Sequence, residues 1–142
     1  MKQKPIDNAV TEFAQSIAML VRSAHAAAST QELSWTEMGV LKRLARGGPA
    51  TTADLARAQS MRPQSMRTIV AALEKVGMIE RKPHPTDGRQ VNLSLTAKGA
   101  GAQKSASAAK QTWLAQAIAK LDRQDQETLF AAGEIIRRVV EL

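Results

Sequence analysis

Side chains that could do chemistry in this 142-residue chain concentrate in one stretch. Arg62, Gln64, Ser65, Arg67 and Thr68 stand close together, Lys75 follows, and Arg81, Lys82 and His84 lead into Asp87-Gly88-Arg89. Arg and Gln offer paired donors and acceptors that match the edges of bases, whereas Lys and Ser reach phosphate oxygens. Residues suited to catalysis are missing. The two histidines, His25 and His84, lie 59 positions apart and there is no cysteine, which removes thiol nucleophiles, disulfides, cysteine-ligated zinc and thiol redox sensing. No Gly-rich loop follows a strand pattern, and Asp122 and Asp125 read as helix caps. No enzymatic activity, cofactor or metal is expected.

The charge distribution points to a polyanionic partner. The chain carries 20 Lys and Arg against 13 Asp and Glu, a formal +7. Between Lys42 and Lys98 there are 11 basic and 4 acidic residues, so the flanks hold 9 of each and are neutral. A charge serving only solubility would be spread evenly; here the whole excess lies around the candidate contact residues. No stretch approaches 18 consecutive apolar residues and the N-terminus has no apolar run, so neither a signal peptide nor a membrane span is expected, and the cytoplasm is the expected compartment.

The elements that must position these residues follow from periodicity. Apolar residues make up 44% of the chain, 25 of them are Ala, and aromatics are only 3%, a composition that favours a thin helical core. Ile6, Val10, Phe13, Ile17, Leu20 and Ala24 line one face of a first helix from about Asp7 to Ala28. Ser34 and Glu37 fit a capping box, with Leu33 and Met38 as its staple. The helix they open carries Met38, Leu41 and Leu44 inward and stops at Gly47-Gly48-Pro49. Thr51 or Thr52 caps a short helix through Ala58 around Leu55, and Pro63 suits the first position of another that runs to Val76 with Gly77 as its stop. Met66, Ile69, Val70, Leu73 and Val76 form its buried stripe. At 100° per residue, the opposite side holds Gln64, Thr68, Ala71 and Lys75, with Arg67 beside it.

After Gly77 the period drops to two. Met78 to Lys82 and the alternation of Val91, Leu93 and Leu95 predict a β-hairpin with a basic tip over Pro83 to Gly88. Thr96 then caps a long Ala-rich helix to about Leu121, with Trp113, Leu114, Ala117, Ile118 and Leu121 as its stripe. A last helix, capped near Asp122 or Asp125, buries some of Leu129, Phe130, Ile135, Ile136, Val139 and Val140. Together these elements predict a mainly α (α+β) fold: a winged helix-turn-helix with a two-stranded β wing, flanked by N- and C-terminal helices.

The run from Met61 to Gly99 resembles the DNA-binding segment of the MarR (multiple antibiotic resistance regulator) family of bacterial transcription factors. The resemblance rests on the recognition helix followed by Leu73-Glu74-x-x-Gly77 and Ile79-Glu80-Arg81, the wing signature Asp87-Gly88-Arg89, and Leu95-Thr96-x-x-Gly99. It extends over the whole chain and implies one domain, 1–142, with a winged-helix lobe at 33–99 and dimerisation helices at 1–32 and 100–142. It further implies sequence-specific binding of a pseudo-palindromic DNA duplex by a homodimer acting as a repressor. By position, Arg89 resembles the wing-tip arginine that enters the minor groove and Asp87 the acidic residue that holds it, while Arg62, Gln64, Ser65, Arg67, Thr68 and Lys75 would address the major groove. Arg81, Lys82 and His84 would add wing or phosphate contacts. The same residue types would also serve an ordinary solvated face, and Asp87-Gly88 is equally a strong turn former.

Family members often bind small aromatic or anionic molecules between the dimer helices and the DNA-binding lobe and then lose DNA affinity. Met19, Arg22, His25, Trp35, Met38 and Trp113 are candidates for such a site, although Met and Trp more often simply pack. The absence of cysteine removes the family's peroxide-sensing branch. Two rival readings are an architectural DNA binder without sequence preference and a winged-helix module that binds protein.

Overall fold

The computed structural model describes residues 3–28 and 33–142, so the expected boundary at residue 32 lies outside the described residues. In chain order the elements are α1 (Gln3–Ala28), α2 (Trp35–Gly47), α3 (Thr52–Ala58), α4 (Pro63–Lys75), β1 (Ile79–Pro83), β2 (Val91–Leu95), α5 (Ala97–Ala119) and α6 (Arg123–Val140). They form two compact units, one of Ala28–Ala108 and one of Met1–Ala27 with Ala109–Leu142, divided within α5.

In the unit Ala28–Ala108, local signals set the helix ends. The Ser34 hydroxyl accepts the Glu37 backbone N–H at 3.1 Å while the Glu37 carboxylate accepts that of Ser34, and Leu33 and Met38 pack against the core as the staple requires. Thr51 and Asp54 repeat the capping box on α3. At the other end of α2, Gly48 takes φ 74°, its N–H donating to the Leu44 carbonyl, a left-handed conformation that glycine adopts without a Cβ clash.

The core of this unit is continuous: Val40, Leu41 and Leu44 of α2, Leu55 of α3, Met66, Val70 and Leu73 of α4, Ile79 of β1 and Leu93 of β2. The wing is antiparallel, pairing Ile79 with Leu95, Arg81 with Leu93 and Pro83 with Val91. Its inner strand is held a second time, because Ala50 and Leu93 exchange backbone hydrogen bonds at 3.1 and 2.8 Å. Ala50 carried no sequence signal for this bridge. Val76 departs from the expected stripe and is 44% exposed: α4 ends at Lys75, Val76 is its C-cap, and Gly77 at φ 77° turns the chain away.

The start of α5 is bound closely to the wing base. The Thr96 hydroxyl accepts the Gly99 N–H and donates to the Gly77 carbonyl, and Lys98 Nζ donates to the Val76 carbonyl at 2.7 Å. Gly99 passes so near that a Cβ would lie 1.9 Å from the Met78 carbonyl oxygen. The glycine of the Leu-Thr-x-x-Gly motif is therefore required by packing.

The second unit holds most of α1, the end of α5 and α6. Asp122 caps α6 by accepting the Asp125 N–H, and the Gln126 amide donates to the Ile118 carbonyl near the end of α5 and to the Leu121 carbonyl just beyond it. The expected burial on α6 is not found. None of its residues is buried, and Phe130, Ile135, Val139 and Val140 are all exposed. Ile6, Val10, Phe13, Ile17 and Leu20 of α1 are likewise exposed, and on α5 Trp113, Leu114, Ala117 and Ile118 are half-buried while Leu121 is exposed beyond the helix end. Among the described residues of a single copy, no further element covers these stripes.

Candidate nucleic-acid interface

Helix α4 is two-sided. Met66, Val70 and Leu73 are sealed in the core, while Arg62, Gln64, Ser65, Arg67, Thr68 and Lys75 are all exposed. Arg62 is the N-cap residue and its side chain makes no capping bond, so the guanidinium stays available beside the first turn. Among the described residues Arg62, Arg67, Lys75 and Arg89 form no ion pair. A row of exposed polar side chains and unneutralised cations on a helix anchored by its opposite face is suited to entering a major groove about 12 Å wide.

The wing tip is organised by two side chains. Asp87 Oδ1 accepts the backbone N–H of Arg89 at 3.0 Å, an Asx turn. The expected link between the two residues is thus made to the backbone of Arg89, and its guanidinium forms no ion pair among the described residues. His84 is half-buried and bonded within the loop. Its Nδ1 accepts the backbone N–H groups of Thr86 at 3.2 Å and Asp87 at 3.1 Å, and the His84 N–H donates to the Gln90 carbonyl. The ring therefore braces the loop that presents Arg89, a role the residue type alone could not disclose. Lys82 lies on the outer face of β1, 3.4 Å from Glu80.

Arg81 is placed differently from its neighbours. Its Nε donates to both carboxylate oxygens of Glu74 at 2.9 Å, and Nη2 lies 2.8 Å from Oε1. That hydrogen bonding, together with the Glu74 charge, pushes the guanidinium pKa further up. The signal was present in the sequence: with Ile79 facing the core, a period of two puts Arg81 on the same face and Lys82 on the other.

The ligand candidates are divided between the units. Met19, Arg22, His25 and Trp113 belong to one; Trp35, which is half exposed, and Met38, which packs on the core, belong to the other. No helix among the described residues is long and apolar enough to cross a membrane.

A two-stranded basic wing beside an exposed, cationic helix is the arrangement of a winged helix-turn-helix DNA-binding protein. The MarR family description matches residues 33–91, and the chain is 37% identical over 109 residues to an uncharacterised HTH-type transcriptional regulator of Mycobacterium bovis, covering 77% of this chain and 76% of that protein. An HTH-type transcriptional repressor of Mycobacterium tuberculosis is 32% identical over 77% of this chain and 78% of its own length. The crystal structure of a transcriptional regulator from Pseudomonas aeruginosa superimposes with a TM-score of 0.84 at 26% identity, covering 95% of each chain. The chain belongs to the MarR family of DNA-binding transcriptional regulators, which are not enzymes.

Proposed function

We propose that this protein is a homodimeric, sequence-specific repressor that reads a pseudo-palindromic duplex. Arg62, Gln64, Ser65, Arg67 and Thr68 contact base edges in the major groove, Lys75 and Lys82 contact phosphates, and Arg89 enters the adjacent minor groove, where narrow A·T-rich segments concentrate negative potential. The observation that carries this reading is the exposed face of α4, whose cations have no acidic partner among the described residues and which lies within the stretch that holds the whole net charge. The exposed apolar stripes of α1 and α6 support a two-fold dimer, which would set two recognition helices roughly 34 to 36 Å apart. Repression is supported by the repressor among its relatives. Release by a small aromatic anion and a cytoplasmic location belong to the same reading.

Selection of bound duplexes from a random pool tests it. The enriched sequences should contain inverted half-sites one helical turn apart, and sedimentation should give twice the chain mass. A pool that enriches no motif, or a monomer that binds every duplex equally, would reject the proposal in favour of architectural binding.

A further inference from the structure

We propose that Glu74 and Arg81 form a clamp that fixes the outer strand of the wing against the recognition helix, so that both are positioning residues for DNA binding and neither is a DNA ligand. This rests on the reading of α4 and the wing as the DNA-contacting surface.

Three observations converge on it. First, strand β1 pairs Arg81 with Leu93 and Ile79 with Leu95; directly opposed residues share a face, so Arg81 lies on the core side with Leu93. Its reach is inward, toward the helix, whereas Lys82 and Glu80 lie on the outer side. Second, the wing strands are held unequally. Strand β2 is pinned by its backbone bridge to Ala50, while β1 is the outer strand of the pair. Among the described residues the polar contacts between α4 and β1 are those of this ion pair. Third, at 100° per residue from Met66, Glu74 falls near about 80°, between the buried stripe and the polar face. A bare carboxylate there would repel a phosphate backbone. Engaging both of its oxygens with Arg81 neutralises it and uses the planar fork of the guanidinium, which fixes direction as well as distance.

Two readers, helix and wing, must meet two adjacent grooves at once, so the angle between them is part of recognition. Loosening β1 relative to α4 leaves every contact residue present but lets the wing tip wander, which penalises the matched duplex more than a scrambled one.

The test uses the full-length protein with a duplex selected from the random pool and a scrambled duplex of equal length, over a range of salt concentrations, for wild type, Glu74→Gln, Arg81→Gln and the double variant. If wild type shows no preference for the selected duplex, the proposed function itself fails. If wild type does show that preference, the clamp predicts that each single variant weakens selected-duplex binding by about threefold to tenfold. Scrambled-duplex binding should stay nearly unchanged, the double variant should be no worse than either single one, and the salt dependence should keep its wild-type slope. Circular dichroism melts accompany each variant to establish that it is folded. Tighter binding by Glu74→Gln would mean that Arg81, once freed, contacts DNA. A salt slope shallower by about one in Arg81→Gln would mean that it already does. Either result overturns the clamp.

Discussion

The two units of this chain treat their apolar residues in opposite ways. In Ala28–Ala108, residues from α2, α3, α4 and both strands are sealed together, and Leu41, Leu55 and Leu73 are fully buried. In the other unit, Val139 is 64% and Phe130 60% exposed although both lie on a helix as regularly patterned as α4. A pattern of apolar residues therefore predicts that a face will be covered without saying by what. The winged unit closes its own core and presents charge; the other keeps an apolar surface, which in the proposed dimer an identical partner completes.

The contrast can be broken most directly by truncation. Leu41→Ala should destabilise the winged lobe by about 2 to 5 kcal/mol, because a fully enclosed side chain leaves a cavity, and denaturant melts should show this loss at every protein concentration. Phe130→Asp should hardly alter helix content but should shift sedimentation from dimer to monomer at micromolar concentration and weaken operator binding with it. A dimer that survives Phe130→Asp unchanged would mean that α6 is not part of the partner surface.

A finer cut lies within α5. Gly99 and Gly101 are two positions apart, yet an added Cβ at Gly99 meets the Met78 carbonyl while at Gly101 it meets nothing within 4 Å. Gly99→Ala should therefore cost about 1 to 3 kcal/mol, since backbone must move. Gly101→Ala should add about 0.5 to 1 kcal/mol, the ordinary gain of alanine over glycine in a helix interior. Equal effects in thermal melts would contradict the close approach of α5 to the wing base.

Much of this arrangement was legible beforehand because its signals are local. The Ser34 and Glu37 capping box, Pro63 at the first position of α4, the Gly77 stop and the period-two strands each depend on neighbours in sequence, and each element formed close to where expected. What escaped reading depends on residues distant in the chain. The Ala50 bridge to Leu93 and the exclusion of a side chain at Gly99 need the fold before they have meaning. The Arg81 pairing with Glu74 was legible in part. Strand alternation put Arg81 on the inner face, but composition grouped it with Lys82 as one more basic wing residue. For α6 the period was right, and its apolar stripe stays uncovered within one chain, because burial is a property of the assembly and the pattern belongs to one chain.

At the wing the comparison turns on whether charge or geometry carries recognition. Arg89→Ala should weaken selected-duplex binding by about 1 to 3 kcal/mol, or roughly five- to 150-fold, and relax preference at the positions beneath the wing. His84→Ala leaves Arg89 in place but removes the ring nitrogen that accepts the Thr86 and Asp87 N–H groups. It should give a smaller loss of a few-fold, with an unchanged salt slope. Should His84→Ala match Arg89→Ala in size, the imidazole would itself be touching DNA.

The smallest effect concerns acid stability and again separates the units, since the shifted carboxylate lies in the winged lobe. The Thr51 N–H donated to Asp54, followed by the Thr51 hydroxyl contact and the nearby Arg57 and Arg43 charges, holds the Asp54 carboxyl below its ordinary 3.8, against an opposing effect of burial. A carboxyl whose pKa is lower in the folded state than in the unfolded state contributes stability that is complete above about pH 3.8. That contribution is lost as pH falls through the depressed folded value. Asp54→Asn should therefore be less stable than wild type at neutral pH by less than about 1 kcal/mol, because the side chain is partly solvated. Denaturant melts taken from pH 6 downward should show the two proteins converging only below about pH 3.8, as pH falls through the depressed folded value and wild-type Asp54 also becomes neutral. A gap that persisted unchanged to lower pH would assign the effect to the shape of the capping box, with no part played by the carboxylate charge.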